Sequence, residues 1–360
     1  MDSLPNEILS QIGSYIPKNN FISLILTTTV FYNNKEQLIS LRDQIKVTNC
    51  KNLQLLFLLS MDTKDHSMIE KILNTHKDFH LKIDWSLYLK RYKNLIYSNT
   101  ILLESYIDKN IKNNKWRSSP EKDDIINHAI RNGYLDIVKL LLYNYKVNLS
   151  SDNNQAMHQA SENGYSDIIK LLLQDKRVDP SADNNFAITE TSRTGQLEVI
   201  KLLLSDKRVN PSGRDNQAIR SASQYGHLEI FKLLLSDKRV DPSAHDNYAI
   251  RLASQYGHLE IVKLSLHDSR VNPSAQNNYP IRIASERGHF EIVKSLISDK
   301  RVDPSAYDND AIKSAFRNKH IEIINFLLTS PLIINQIHEI LLKDEYNYKK
   351  YYNEILSDFC

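Results

Sequence analysis

The sequence predicts an all-α chain: an α-solenoid of stacked helix-turn-helix units, with a short helical module at the N-terminus. Three observations predict it. Six of the eight glycines, Gly133, Gly164, Gly195, Gly226, Gly257 and Gly288, follow one another at intervals of 31 residues. Five prolines, Pro180, Pro211, Pro242, Pro273 and Pro304, keep the same interval. Between these markers the apolar residues recur at helical spacing. Each unit of such an array cannot bury its apolar face alone, so stacking supplies the core.

The bulk numbers exclude several classes. The chain has 360 residues, which by length suggests two or three domains, yet only 8 glycines, where about 7% of residues is usual. An enzyme that cradles phosphates on glycine-rich loops would carry more. The formal net charge is +3, split as +4 over 1–121 and −1 over 122–360. Neither part has the excess of a nucleic-acid binder. Cys50 and Cys360 supply no disulfide framework and no cysteine metal cluster, which fits a reducing compartment. No apolar run approaches ~18 residues, so no membrane span is expected. Met1-Asp2-Ser3-Leu4-Pro5-Asn6-Glu7 is acidic where a signal peptide needs a positive flank. The expectation is an intracellular, cytoplasmic protein without nucleic-acid or membrane partners.

The first element, residues 1–45, differs in kind from the rest. Ser3 suits a helix cap, Pro5 a first turn, and Pro17 a break. Ile8, Ile12, Tyr15 and Ile16, then Phe21, Leu24, Ile25 and Phe31, give two or three short helices with a small apolar face. The segment resembles an F-box, which opens with Leu-Pro and an acidic residue before an apolar pair. That family continues with a leucine-rich helix and an aromatic where Phe31 stands. Thr27-Thr28-Thr29 departs from its usual Val-Cys. The resemblance implies that Leu4, Pro5, Ile8, Ile12 and Leu24 contact the Skp-type linker subunit of a cullin ubiquitin ligase. The same residues also read as an N-terminal cap of the solenoid, and both readings stand at this point.

Residues 50–121 read as about two degenerate helical repeats. Met68–Leu73, Ile101–Tyr106 and Asp136–Leu141 look like successive second helices, starting 33 and 35 residues apart. Asn110 to Asp123 is the expected loop.

The array proper spans 122–335. Its best-kept copy runs from Tyr248 to Asn278. Ala249–Tyr256 is a short helix with small residues at Ala253 and Ser254, where a neighbour must approach closely. Gly257 ends it, because a left-handed backbone costs glycine no strain. Leu259–Leu266 has a wider apolar face and is the more buried helix. Pro273 then prevents helix continuation, and Asp and Asn crowd the turn. Gly226-His-Leu-Glu-Ile-Phe-Lys-Leu-Leu-Leu235 and Gly195-Gln-Leu-Glu-Val-Ile-Lys-Leu-Leu-Leu204 resemble the ankyrin repeat almost letter for letter. The period of 31 is shorter than the ~33 of that family. Asp-Lys-Arg-Val stands where the family has Ala-Gly-Ala-Asp-Val, and Thr-Pro-Leu-His becomes Tyr248-Ala-Ile-Arg251. The shorter finger leaves an ordered hairpin in question. Lys319 stands where the glycine belongs, which marks the last, capping copy. Residues 336–360, with Tyr346, Tyr348, Tyr351 and Tyr352, form a helical stretch that closes the array or else a tyrosine-rich docking peptide.

The ankyrin resemblance implies a protein target held on the concave side, by finger tips and first helices. Constant framework positions make the variable ones stand out. Tyr225, Tyr256 and Arg287 precede the glycines; Arg214, His245 and Tyr307 occupy the finger. These six are the expected partner-binding set. Tyr248 and Tyr279 are expected to pack between copies. Arg220, Arg251, Arg282 and Lys313 form a basic column, which reads either as a ladder that meets acidic protein or phosphate, or, as favoured here, as structural, since these residues replace the family's hydrogen-bonding histidine. His227, His258 and His289 lie about a repeat apart with no second ligand, so no metal is expected. No phosphate loop, nucleophile elbow or unique carboxylate pair points to catalysis or to a cofactor. The expectation is a monomeric, non-enzymatic interaction protein. Asp-Pro-Ser-Ala loops and an Asn-, Ile- and Lys-rich wording resemble arrays encoded by large DNA viruses of protists, which implies a host target.

Overall fold

The computed structural model describes residues 99–112, 120–145, 147–149 and 151–333, with single positions at 69, 72, 73 and 96. The expectations for 1–45 and 336–360 lie outside these residues. All regular structure among the described residues is helical. The chain divides between Val147 and Asn148 into two compact units.

In the first unit, α1 (Thr100–Lys112), α2 (Pro120–Arg131) and α3 (Leu135–Tyr143) follow one another. α1 and α3 contain the two later segments read as second helices, and α1 packs on α3. Ile69, Ile72 and Leu73 of the earlier segment are helical and buried. The expected loop 110–123 is shorter than read. Helix occupies 110–112 and restarts at Pro120. Proline belongs at a first helical position, where its missing N–H is not needed, and Glu121 and Asp123 favour a helix N-terminus.

The second unit repeats a pair of helices. First helices are α4 (Ser151–Asn163), α6 (Ala182–Thr194), α8 (Gly213–Tyr225), α10 (Ala244–Tyr256), α12 (Ala275–Arg287) and α14 (Ala306–Arg317). Second helices are α5 (Ser166–Gln174), α7 (Leu197–Ser205), α9 (Leu228–Ser236), α11 (Leu259–His267), α13 (Phe290–Ile297) and α15 (Ile321–Leu327). First helices stack on one another more extensively than second helices do. Small buried residues explain this: Ala222-Ser223, Ala253-Ser254 and Ala284-Ser285 let backbones approach. Second helices drive in the large side chains, such as Ile230, Phe231 and Leu234 of α9. Each such burial contributes about 1.5–3 kcal/mol.

The finger holds no strand. From α6 to α14, each first helix opens with three left-handed residues: Asp183–Asn185, Arg214–Asn216, His245–Asn247, Gln276–Asn278 and Tyr307–Asn309. The right-handed helix starts only after them, so the span Ala244–Tyr256 contains the expected helix 249–256. The third left-handed residue closes the turn, as Asn247 N–H donates to Ser243 O at 2.7 Å. Its buried side chain also works: Asn247 Oδ1 accepts from Asn272 N–H at 2.6 Å, tying the turn to the following loop. The same bond recurs from Asn210 to Asn185, Asp241 to Asn216 and Asp303 to Asn278.

Candidate protein-binding surface

The surface is built on three recurring devices that hold the copies in register. The first is the loop after each second helix. Asp237 Oδ1 accepts from Arg239 N–H at 3.0 Å, and its Oδ2 from Arg239 Nη2 at 2.6 Å. Arg239 Nη1 then donates to Val209 O of the preceding copy at 2.9 Å. Arg208, Arg270 and Arg301 reach Val178, Val240 and Val271 in the same way. The arginine bonds hold the carboxyls of Asp175, Asp206, Asp237, Asp268 and Asp299 below their usual range, against the upward push of burial. Sequence reasoning treated this loop as a deletion. The arginine at a strict 31-residue interval was the available signal.

The second device joins a histidine to a glycine. His258, at the N-cap of α11, donates from Nε2 to Gln224 O at 3.0 Å. The carbonyl can only accept, which fixes the tautomer. His227, His289 and His320 do the same to Arg193, Gln255 and Glu286. The ring fills the space where a Cβ on Gly226 would stand, 2.5 Å from His258 Cε1. The glycine is therefore needed twice, for its φ of 75° and for the ring. His258 N–H also donates to Ala253 O at 2.9 Å, which closes the end of α10. The histidines thus have structural work. Among the described residues no group of His, Cys, Asp and Glu is placed to hold a metal ion.

The third device is an alternating column of cations and rings. The Arg220 guanidinium lies 5.8 Å from the Tyr248 ring, and that of Arg251 lies 4.8 Å from the same ring. Arg251 and Arg282 flank Tyr279 at 5.6 and 5.9 Å, and Arg282 meets Tyr307 at 4.1 Å. Tyr248 and Tyr279 thus pack between copies. Arg220 and Arg251 also cap their own turns, donating from Nη2 to Arg214 O and His245 O, each at 3.1 Å. Arg282 donates to Asp310 Oδ2 at 2.8 Å, and Lys313 to Asp308 Oδ2 at 2.6 Å. Burial pushes Arg220 down from its ordinary value, offset in part by Asp215 and Tyr248. A guanidinium stays charged regardless.

The six array residues expected to bind a partner fall on two rows of this frame. Tyr225, Tyr256 and Arg287 end α8, α10 and α12. The two tyrosines are 46% and 48% exposed. Tyr225 stacks on His227 with ring centroids 6.3 Å apart, next to Arg193 of the preceding copy. Arg287 is exposed and lies 4.0 Å from Glu286. Arg214, His245 and Tyr307 are the first left-handed residue of their turns. Arg214 is engaged within the array, with Nη2 donating to Asp183 O at 2.8 Å and the guanidinium over Phe186. His245 Nε2 lies 3.5 Å from Asp215 Oδ2. Tyr307 is 63% exposed, with one face on Arg282. Leu4, Pro5, Ile8, Ile12 and Leu24 lie outside the described residues.

Second helices present a different face. Glu198–Lys201, Glu229–Lys232 and Glu260–Lys263 form exposed pairs one turn apart. Such pairs add a few tenths of a kcal/mol at most. Among the described residues no helix is long and apolar enough to cross a membrane.

A family model described as ankyrin repeats, in three copies, matches residues 93–184 and 250–337. No curated protein matches the chain. The family match begins inside the stretch read as degenerate repeats. Its two segments flank 185–249, where the structure carries the same helix pairs, left-handed turns and glycine ends. The matched stretches make up half of the sequence. The chain belongs to the ankyrin repeat family, and its array is a protein–protein interaction module.

Proposed function

We propose that the array binds a target protein through the row of first helices and left-handed turns. The observation that carries this is a contrast within one frame. Recurring residues hold the copies together, while the positions of exposed Tyr225, Tyr256, Arg287 and Tyr307, at the ends and opening turns of the first helices, vary between copies. Tyrosine and arginine are the residue types that dominate binding hot spots. The opposite row, on the second helices, repeats one Glu–Lys pattern with little variation. Alanine at both Tyr225 and Tyr256 is expected to remove a protein partner captured by the full chain. Capture unchanged by that pair, but lost with Lys201, Lys232 and Lys263 replaced, contradicts the proposal.

The finer reading makes the chain a substrate-recruiting adaptor of a cullin-type ubiquitin ligase. Its support is the Leu4-Pro5 motif with Ile8, Ile12 and Leu24, set ahead of a binding array. In this reading the segment 1–45 holds a Skp-type linker and the array holds the target. The resemblance to viral arrays supports a host protein as that target, in the host cytoplasm. The second reading is a plain scaffold that sequesters or bridges its partner, and it rests on the ankyrin array alone. Co-purification with a Skp-type subunit separates the two. The adaptor reading expects association that Leu4→Ala with Pro5→Ala abolishes. No association, or association indifferent to that pair, leaves the scaffold.

A further inference from the structure

The basic column is not uniform along the array. At one end its cations have acidic partners within the chain. Arg282 pairs with Asp310 and Lys313 with Asp308, while Arg317, outside the column, shares the Asp310 carboxylate at 3.0 Å. On α6, Arg193 pairs with Glu190. The two helices between carry acids only in their left-handed turns, Asp215 and Asp246, which lie against His245 and Gln276 of the next copy. Gln217–Tyr225 reads Gln-Ala-Ile-Arg-Ser-Ala-Ser-Gln-Tyr, and Tyr248–Tyr256 reads Tyr-Ala-Ile-Arg-Leu-Ala-Ser-Gln-Tyr. Among the described residues no carboxylate stands at ion-pair distance from Arg220 or Arg251. The nearest carboxylate that acts on Arg220 is Asp215, which lies against His245. Each guanidinium gives one donor to a backbone carbonyl, and the buried Nε of each has no hydrogen-bond partner.

Resting on the interaction surface proposed above, we infer that its partner presents an acidic segment, whose Asp or Glu carboxylates engage Arg220 and Arg251. Three observations carry this. The chain itself shows the bonding, since Asp310 supplies a carboxylate to Arg282 from the place that Tyr248 and Tyr279 hold in the earlier copies. The Tyr248 ring lies between the two guanidiniums, so their planes are set before any ligand arrives, which lowers the ordering cost of binding. Exposed Tyr256 and half-buried Gln224 and Gln255 sit on the same helices, adding neutral donors. Charge-assisted bonds to such prearranged arginines are the strong kind. The local charge thus selects a partner that the net charge of the chain does not reveal.

The test is a selection of random displayed peptides on the full chain, run in parallel on Arg220→Gln with Arg251→Gln. The native chain is expected to enrich Asp- and Glu-containing peptides. An enriched peptide, resynthesised, should bind the double variant about tenfold more weakly. Enrichment of peptides without acidic residues overturns this inference but leaves the interaction surface standing. No enrichment of any peptide overturns both. Displacement of the bound peptide by poly-uridine RNA at equal charge concentration overturns it in favour of a nucleic-acid ligand. Should the glutamine pair not fold, Tyr248→Glu places a carboxylate between the two arginines, as Asp310 does for Arg282. That variant should lose acidic enrichment, and a Tyr248→Glu chain that still selects acidic peptides overturns the inference.

Discussion

Gly226 shows how one missing atom serves two copies of the repeat. It ends α8 in a left-handed turn, and its bare face admits the ring of His258. Gly226→Ala should therefore cost about 2–3 kcal/mol, from the left-handed strain and the displaced histidine bond, measured by urea unfolding. Lys319 is the opposite case. It holds φ of 60° where its sister copies have glycine, and the His320 N–H to Ala315 O bond still forms at 3.0 Å. Lys319→Gly should gain about 1 kcal/mol. Ser265 is a gap in another row. Leu203, Leu234 and Leu296 are its buried counterparts, whereas Ser265 is 1% exposed with an unpartnered hydroxyl. Ser265→Leu should raise the unfolding midpoint, with a gain of about 1–3 kcal/mol. A loss would mean that α11 has closed onto the smaller side chain. These glycine positions were legible in the sequence as helix ends. Their second task was not, because the ring that needs the space comes from the next copy.

At the scale of the element, the short loop is an active joint. Asp237 and Arg239 look like two surface charges in the sequence, yet together they hold the carbonyl of Val209 one copy away. Arg239→Ala should cost about 1–3 kcal/mol, whereas Lys263→Ala on an exposed pair should cost under about 0.5. The five loop aspartates make the joint sensitive to acid. Their folded values lie below the unfolded value of about 3.9, so their contribution is full above that pH. It is lost as pH falls through the lower folded values. Urea midpoints should therefore drop between pH 4 and the fully protonated range. Asp237→Asn should begin less stable at neutral pH and drop less. The left-handed turn was the other element missed. Asn in every copy was its signal, since Asn tolerates that backbone. Arg214, His245 and Tyr307 hid it, because such residues seldom adopt that conformation, and no local pattern announces three in succession.

Across the whole molecule, the repeat interval, the helix pairs and the packing of Tyr248 and Tyr279 between copies could be read from the sequence. Periodicity exposes them because every copy solves the same packing problem. The candidate surface was legible only as variability. Which of its residues are engaged within the array emerged from contacts about 30 residues apart, as with Arg214 on Asp183 and His245 beside Asp215. Stability in such a stack is a sum over neighbouring interfaces, so a binding surface can vary while the frame stays fixed. The most direct test is amide hydrogen exchange on the full chain, with and without a captured protein partner. Binding through the proposed surface should bring new protection in 213–227 and 244–258, the first helices with their turns, and none in 228–236 or 259–267. Protection confined to the second helices would contradict it.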